Sequence, residues 1–303
     1  MSTFSSPLQP TPSPQSAPPS TGVDAASVTD AVAATFANAS SALMAELLPL
    51  LVRHAHAFVR EGKVTHAEWR AGLQFLTDCA SITTAERNEF TLLSDILGVS
   101  SLVDLQSHQA GATPGSVLGP FHNHDSRWLE NGADLIAGQD GERVLFLGRV
   151  CDTTGAVVPG ASIDFWQNAA NRLYPAQDPA QDPHNLRCKM KCDSNGRFAI
   201  RTVRPQTYTV PYDGPVGAML TASNRHCWRP AHFHLIVAAP GHQTLVTELF
   251  PHDSEYIDSD AVFGVRKGLT IALASNNDPA LGEKYQIAAP FALAEFEFRL
   301  PRE

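Results

Sequence analysis

The chain has 303 residues, 43% of them hydrophobic and only 17% charged, with 22 Lys and Arg against 31 Asp and Glu for a formal charge of −9. That composition excludes a largely disordered chain and supplies no basic surface for a phosphate backbone or an anionic membrane, so neither nucleic acid nor membrane insertion is expected. The length suffices for a full core in one large domain or two unequal parts.

Residues 1–22 hold six Pro and six Ser and almost no bulky apolar side chains. Such a stretch cannot offset its ordering entropy, and a disordered tail is expected. Residues 23–110 read as a helical domain, with apolar residues at three- and four-residue spacing in AVAATF, ALMAELLPLLVRHAHAFV, HAEWRAGLQFL and FTLLSDILGVSSLVDL. Thr65 with Glu68, and Thr83 with Glu86, have the spacing of capping boxes. From residue 111 to 303 Gly and Pro punctuate short segments rich in Val, Ile, Phe and Thr. RVLFLGRV, ASIDFW, RFAIRTV, AHFHLIV, TLVTELF and FALAEFEF are predicted strands of a β-sandwich, with one or two short helices near Ala261–Gly268. The fold class is therefore mainly β behind an N-terminal helical domain.

The five cysteines, Cys79, Cys151, Cys188, Cys192 and Cys227, are odd in number in a chain too large to need disulfide staples, which points to free thiols in a reducing compartment. Cys188 and Cys192 lack a second pair and read as thiols rather than a zinc site. No Lys or Arg precedes Arg53, and the longest apolar run, residues 47–52, is far short of the roughly 20 residues that span a bilayer. A soluble, cytoplasmic protein is expected.

Three His-x-His pairs rank by local structure. His54 and His56 lie on a helix, where residues two apart point to different sides. His122 and His124 lie in a loop that leaves both outcomes open. His232 and His234 lie on a predicted strand, whose period of two sets both imidazoles on one face, as two nitrogen ligands of one ion require. Two histidines hydrogen-bonded at a sheet edge would give the same pattern. A zinc hydrolase would complete its sphere with His242, Glu248 or His252. Tyr174 and Tyr208, in the same β-rich half, offer hard phenolate oxygens that suit a highly charged ion such as Fe(III); each taken alone reads first as a packed aromatic with a satisfied hydroxyl. Nucleophile elbow, P-loop and dinucleotide fingerprints are all missing.

The ordered set VPGASIDFWQ with Tyr174, CDSNGRFAIRTVRP with Tyr208, and RPAHFH followed by TLVT resembles the intradiol ring-cleavage dioxygenases over residues 75–269. The resemblance implies a β-sandwich carrying one non-haem Fe(III) per subunit, held by Tyr174, Tyr208, His232 and His234. It also implies a homodimer through the N-terminal helices, with a lipid at the dimer interface in some relatives. A small aromatic diol or triol and O2 would be the reactants, the ring opening between its two hydroxyl-bearing carbons. Tyr208 matches the tyrosine displaced by substrate, with Tyr212 its rival by sequence, and Arg229 matches the arginine that stabilises negative charge building up on the ring.

Within the family, FTLLSDILGVSSLVD, SVLGPFH, TVPYDGPVG and DSDAVFGVRKGL are more similar to the members that cleave hydroxyquinol (benzene-1,2,4-triol) to maleylacetate than to those that cleave catechol to cis,cis-muconate. The matched pocket positions are Leu92, Asp95, Val117, Leu118, Gly119, Pro120, Phe121, Val210, Pro211 and Val262, together with Arg229 and Glu248. Asp95 offers an acceptor to a third ring hydroxyl; the competing reading is an exposed helix residue. Glu248 departs from the neutral Gln or His usual at its place, which leaves pairing with Arg229, protonation or a turn away from the site open to it, and Leu118 departs from a frequent Phe. A metal-free, transthyretin-like binding module is the alternative outside enzymes.

Overall fold

The structure is a computed structural model in which residues 22–84 and 87–303 are described. The tail expected over residues 1–22 lies, except for Gly22, outside the described residues, as does Glu86 of the second capping box. The first box forms: the Thr65 N–H donates to Glu68 Oε2 at 2.8 Å, and the Glu68 N–H donates to Thr65 Oγ1 at 3.3 Å.

The chain divides into two compact units, residues 1–74 and 75–303. The first holds α1 (Val28–Ala34), α2 (Ala42–Glu61) and the start of α3 (His66–Ile82). Here α1 meets α2 through the side chains of Thr29 and His56, 2.9 Å apart. No residue of α2 is buried, and Leu43, Leu47, Leu50, Leu51 and Phe58 are exposed. The 47–52 run lies inside α2, and by length and composition alone this helix is apolar enough to cross a membrane.

In the second unit, α4 (Glu89–Ile96) and α5 (Val99–Ser107) are separated by Gly98 at φ +71°, a left-handed turn that suits glycine. Asn88 caps α4, its side chain accepting from the N–H groups of Phe90 and Thr91. The strands follow: β1 (Ala133–Asp134), β2 (Arg143–Asp152), β3 (Ser162–Trp166), β4 (Arg187–Lys191), β5 (Arg197–Val203), β6 (Tyr208–Thr209), β7 (Trp228–Arg229), β8 (Phe233–Ala238), β9 (Leu245–Pro251), β10 (Thr270–Ile271), β11 (Ala274–Asn276) and β12 (Phe291–Leu300). Two short helices interrupt them, α6 (Pro215–Ala222) and α7 (Pro279–Tyr285).

All six predicted strands form. The expected helix near Ala261–Gly268 does not; that segment wraps instead around the Asp260 carboxylate, which accepts from the Gly264 N–H at 2.9 Å. A side chain competing for backbone donors in this way displaces helix. The helix formed at Pro215–Ala222 starts with Pro at its first turn, where a missing N–H costs nothing.

The strands make two five-stranded sheets, ordered β1-β5-β2-β12-β11 and β10-β9-β8-β3-β4, and a two-stranded ribbon of β6 and β7. One apolar core joins the large sheets: Val144, Phe146, Phe198, Ile200, Ala294 and Phe298 from the first pack with Ile163, Phe165, Met190, Phe233, Leu235 and Leu249 from the second. Phe146 stacks on Phe233 with ring centres 5.7 Å apart. Each such buried Phe contributes about 1.5–3 kcal/mol, which fixes the register of β8 and sends the residues between the core positions to the opposite face.

Candidate metal centre

Alternation along β8 puts Phe233, Leu235 and Val237 into the core, so His234 points away from it. Register does the rest. His234 pairs with Glu248 of β9 on one side and Trp166 of β3 on the other, and Trp166 pairs with Arg187 of β4. One row across four strands therefore reads Glu248, His234, Trp166, Arg187, all buried. The Trp166 ring lies flat on His234, centroids 4.7 Å apart and planes 5° from parallel, and locks its orientation.

The β6–β7 ribbon sets Tyr208 directly opposite Arg229. Tyr174 arrives from the segment after β3, its backbone N–H donating to Gln177 Oε1 at 3.1 Å and its ring stacked on Phe121 at 4.5 Å. The two phenol rings stand 5.3 Å apart and nearly perpendicular. His232 and His234 approach with their Nε2 atoms 3.0 Å apart. Tyr174, Tyr208, His232 and His234 are thus brought together in one buried cluster. Tyr212, the rival by sequence, is exposed.

His232 Nδ1 lies 2.8 Å from the Pro230 carbonyl, which only accepts, so Nδ1 carries the proton and Nε2 presents a lone pair. Burial lowers His232 to about 4 and His234 well below the usual imidazole value, keeping both rings neutral, the form that binds metals. Burial likewise raises both tyrosines, Tyr174 well above 10 with Tyr208 adding to it. The Tyr174 hydroxyl and His234 Nδ1 have no hydrogen-bond partner. A buried orphan hydroxyl costs free energy, and buried phenols ionise only when a cation draws the proton off. Two converging Nε2 atoms, an orphan phenol and a second phenol beside it are donors that could hold a cation, and hard oxygen with imidazole nitrogen suits ferric iron.

Arg229 is fully enclosed. Its Nε and Nη2 donate to Asp260 at 3.1 Å each, Nη1 and Nη2 donate to Glu248 at 2.7 and 3.0 Å, and Nη1 also points at the Tyr208 hydroxyl, 3.4 Å away. Glu248 is therefore paired with Arg229; although burial alone would raise its carboxyl, the Arg229 guanidinium holds it well below the usual range. Its Oε1 lies 3.3 Å from His232 Nε2, and His232, His234 and Glu248 form the group of metal-competent side chains found among the described residues.

Of the matched pocket residues, Leu92, Val117, Val210 and Val262 meet in one apolar cluster. Asp95 is buried on α4, and burial raises its carboxyl. Gly119, at φ +71°, sits so close to the His234 ring that a Cβ would lie 3.2 Å from Cε1. Pro211 is half-buried, whereas Leu118 and Pro120 are exposed. Asp260, Ser116 and Arg187 belong to the surroundings of the site without having been singled out in the sequence. Asp260 stands within DSDAVFGVRKGL, two residues before Val262, and a carboxylate inside a matched motif was the available signal. His122 of the second pair binds Asp164 at 2.9 Å, and His56 of the first meets Thr29.

A family model for the catechol dioxygenase N terminus matches residues 43–114, and one for the dioxygenase body matches residues 117–300. The chain belongs to the intradiol ring-cleavage dioxygenase family. It is 41% identical to a 6-chlorohydroxyquinol 1,2-dioxygenase of Cupriavidus pinatubonensis, over 81% of this chain and 90% of that protein. It is 43% identical to a hydroxyquinol 1,2-dioxygenase of a Rhizobium species, over 74% and 77%. The crystal structure of hydroxyquinol 1,2-dioxygenase from Pseudomonas putida superposes with a TM-score of 0.85 at 40% identity, covering 92% of this chain and 99% of that one.

Proposed function

We propose that this dioxygenase cleaves hydroxyquinol with O2 between its adjacent hydroxyl-bearing carbons, giving maleylacetate, with Tyr174, Tyr208, His232 and His234 holding one ferric ion per subunit. The observation that carries the metal assignment is the convergence of two imidazole Nε2 atoms with the orphan Tyr174 hydroxyl. Ferric iron, when bound, supplies the Lewis acidity that ionises phenols and prepares an ortho-diol for dioxygen.

The chain's own residues do the rest. Tyr208, on a two-residue strand with its hydroxyl facing Arg229, would, once ionised by the bound ferric ion, be the phenolate that leaves its position and takes a proton from the incoming diol. Arg229 stays put, four of its N–H groups tied to carboxylates, and keeps one aimed at the place where ring charge develops. Phe121, Trp166 and the cluster of Leu92, Val117, Val210 and Val262 exclude water. Asp95 supplies the acceptor that a third ring hydroxyl uses and plain catechol lacks. The exposed apolar stripe of α2 suits a homodimer interface, with a lipid as a further occupant, and the five free thiols suit a cytoplasmic enzyme.

The test is metal content and colour. The iron-loaded protein should hold one iron per chain and absorb in the visible through its tyrosinates, and Tyr208→Phe should shift that band and cut turnover at least about a hundredfold. A colourless protein with one zinc per chain, or full turnover in Tyr208→Phe, would refute the assignment.

A further inference from the structure

Glu248 has an unusual position for a carboxylate. It is fully buried, faces two imidazoles at 3.3 and 3.5 Å through Oε1, and makes a two-pronged ion pair with Arg229. It is held from behind as well: Ser116 Oγ lies 2.6 Å from Oε2 and 2.8 Å from the Gly264 carbonyl. At Gly264 a Cβ would lie 2.8 Å from Oε2, 2.5 Å from Arg229 Nη2 and 2.9 Å from Asp260 Oδ2, so the backbone itself closes the clamp. Glu248 has nowhere to swing.

The charges do not balance within the clamp. One guanidinium faces two carboxylates, Glu248 and Asp260, leaving one net negative charge, and the carboxylate nearer the imidazoles is Glu248. Asp260 grips only Nε and Nη2, whereas Glu248 also holds Nη1, the nitrogen that points at Tyr208 and His232. Resting on the metal-centre reading above, we propose that Glu248 is a positioning and specificity residue: it fixes Arg229 Nη1 toward Tyr208 and adds a negative charge that makes the site select aromatic substrates whose ring substituents are uncharged. An anionic substituent within about 10 Å of that charge would be disfavoured on the order of tenfold, whereas a neutral hydroxyl would not be.

The ferric holoenzyme provides two readouts that a merely structural ion pair would leave unmoved. One is the tyrosinate charge-transfer band; the other is the ratio of affinities for phenol and 4-hydroxybenzoate, measured by spectral titration without turnover. Glu248→Gln should move the band to longer wavelength, because the metal accepts an electron more easily once the nearby negative charge is gone, and should improve binding of 4-hydroxybenzoate relative to phenol by about tenfold. Glu248→Asp, which keeps the charge, should stay near the wild-type ratio. An unchanged band and ratio in Glu248→Gln would overturn the proposal. Should that variant fail to fold, Asp260→Asn must change the ratio in the same direction by a smaller factor, and an unchanged ratio there overturns it equally. A wild-type ferric protein without any tyrosinate band would instead refute the ligand assignment, so the two failures are distinguishable.

Discussion

On the sheet β1-β5-β2-β12-β11, the row of β2 facing away from the core reads Leu145, Leu147, Arg149, two apolar residues packed under Ile287 and Phe291 and a half-exposed arginine paired with Glu297. On the sheet β10-β9-β8-β3-β4 the equivalent outward row, taken across four strands, reads Glu248, His234, Trp166, Arg187. Both sheets present apolar residues to the same core, so the difference lies wholly on their outer faces. The first face follows the ordinary rule that burial goes to apolar groups. The second buries a carboxylate, an imidazole and a guanidinium, an arrangement that costs several kcal/mol per ion unless every charge finds a partner. That cost is tolerated where the charges serve a function, which separates a working face from a structural one without reference to any relative.

The largest effects are expected from two substitutions, one among the buried charges that Glu248 of the outer row joins and one in the shared core. Arg229→Ala leaves Glu248 and Asp260 buried without their cation and should cost about 3–5 kcal/mol of stability as well as most of the turnover. Phe146→Ala, in the shared core, should cost about 3–5 kcal/mol too, yet its folded fraction should keep full iron and normal turnover per iron. Denaturant unfolding with metal analysis checks both; loss of iron in folded Phe146→Ala would show that the two faces are not separable.

A smaller effect is expected inside the pocket. Asp95→Asn should lower kcat/KM for hydroxyquinol about tenfold, the loss of one hydrogen bond to a charged acceptor, while changing catechol by less than about threefold. Equal losses on both substrates would remove Asp95 from substrate recognition.

Much of the architecture was legible because periodicity reports it directly. The six predicted strands carry alternating or continuous apolar runs, and the His232/His234 pair needed only the period of two to be placed on one face. What stayed hidden was register. Nothing in TLVTELF says that Glu248 will stand beside His234, and nothing in DSDAVFG says that Asp260 will curl its own loop around a carboxylate instead of starting a helix. For Glu248, pairing with Arg229 is one of three outcomes open in the sequence, and only a contact between residues 19 apart selects it. Strands of two residues, such as the β6–β7 ribbon that opposes Tyr208 to Arg229, are too short for any periodic signal.

The smallest expected effect concerns β4, behind Arg187. Burial pushes Cys188 and Cys192 up to about 12, so both should resist a thiol reagent at pH 8 in the native protein and react once it is denatured. Because these thiols are harder to ionise folded than unfolded, their contribution to stability is fully present below the ordinary thiol value near 9 and is lost as pH rises from there toward 12. Rapid native labelling of Cys188 would contradict its placement in the shared core.

The most direct test of the account is oxygen uptake by the iron-loaded protein with hydroxyquinol and catechol side by side. The structure and its relatives lead to consumption of one O2 per hydroxyquinol, with maleylacetate formed and kcat/KM well above that for catechol. Faster uptake with catechol, or none with either, would contradict it.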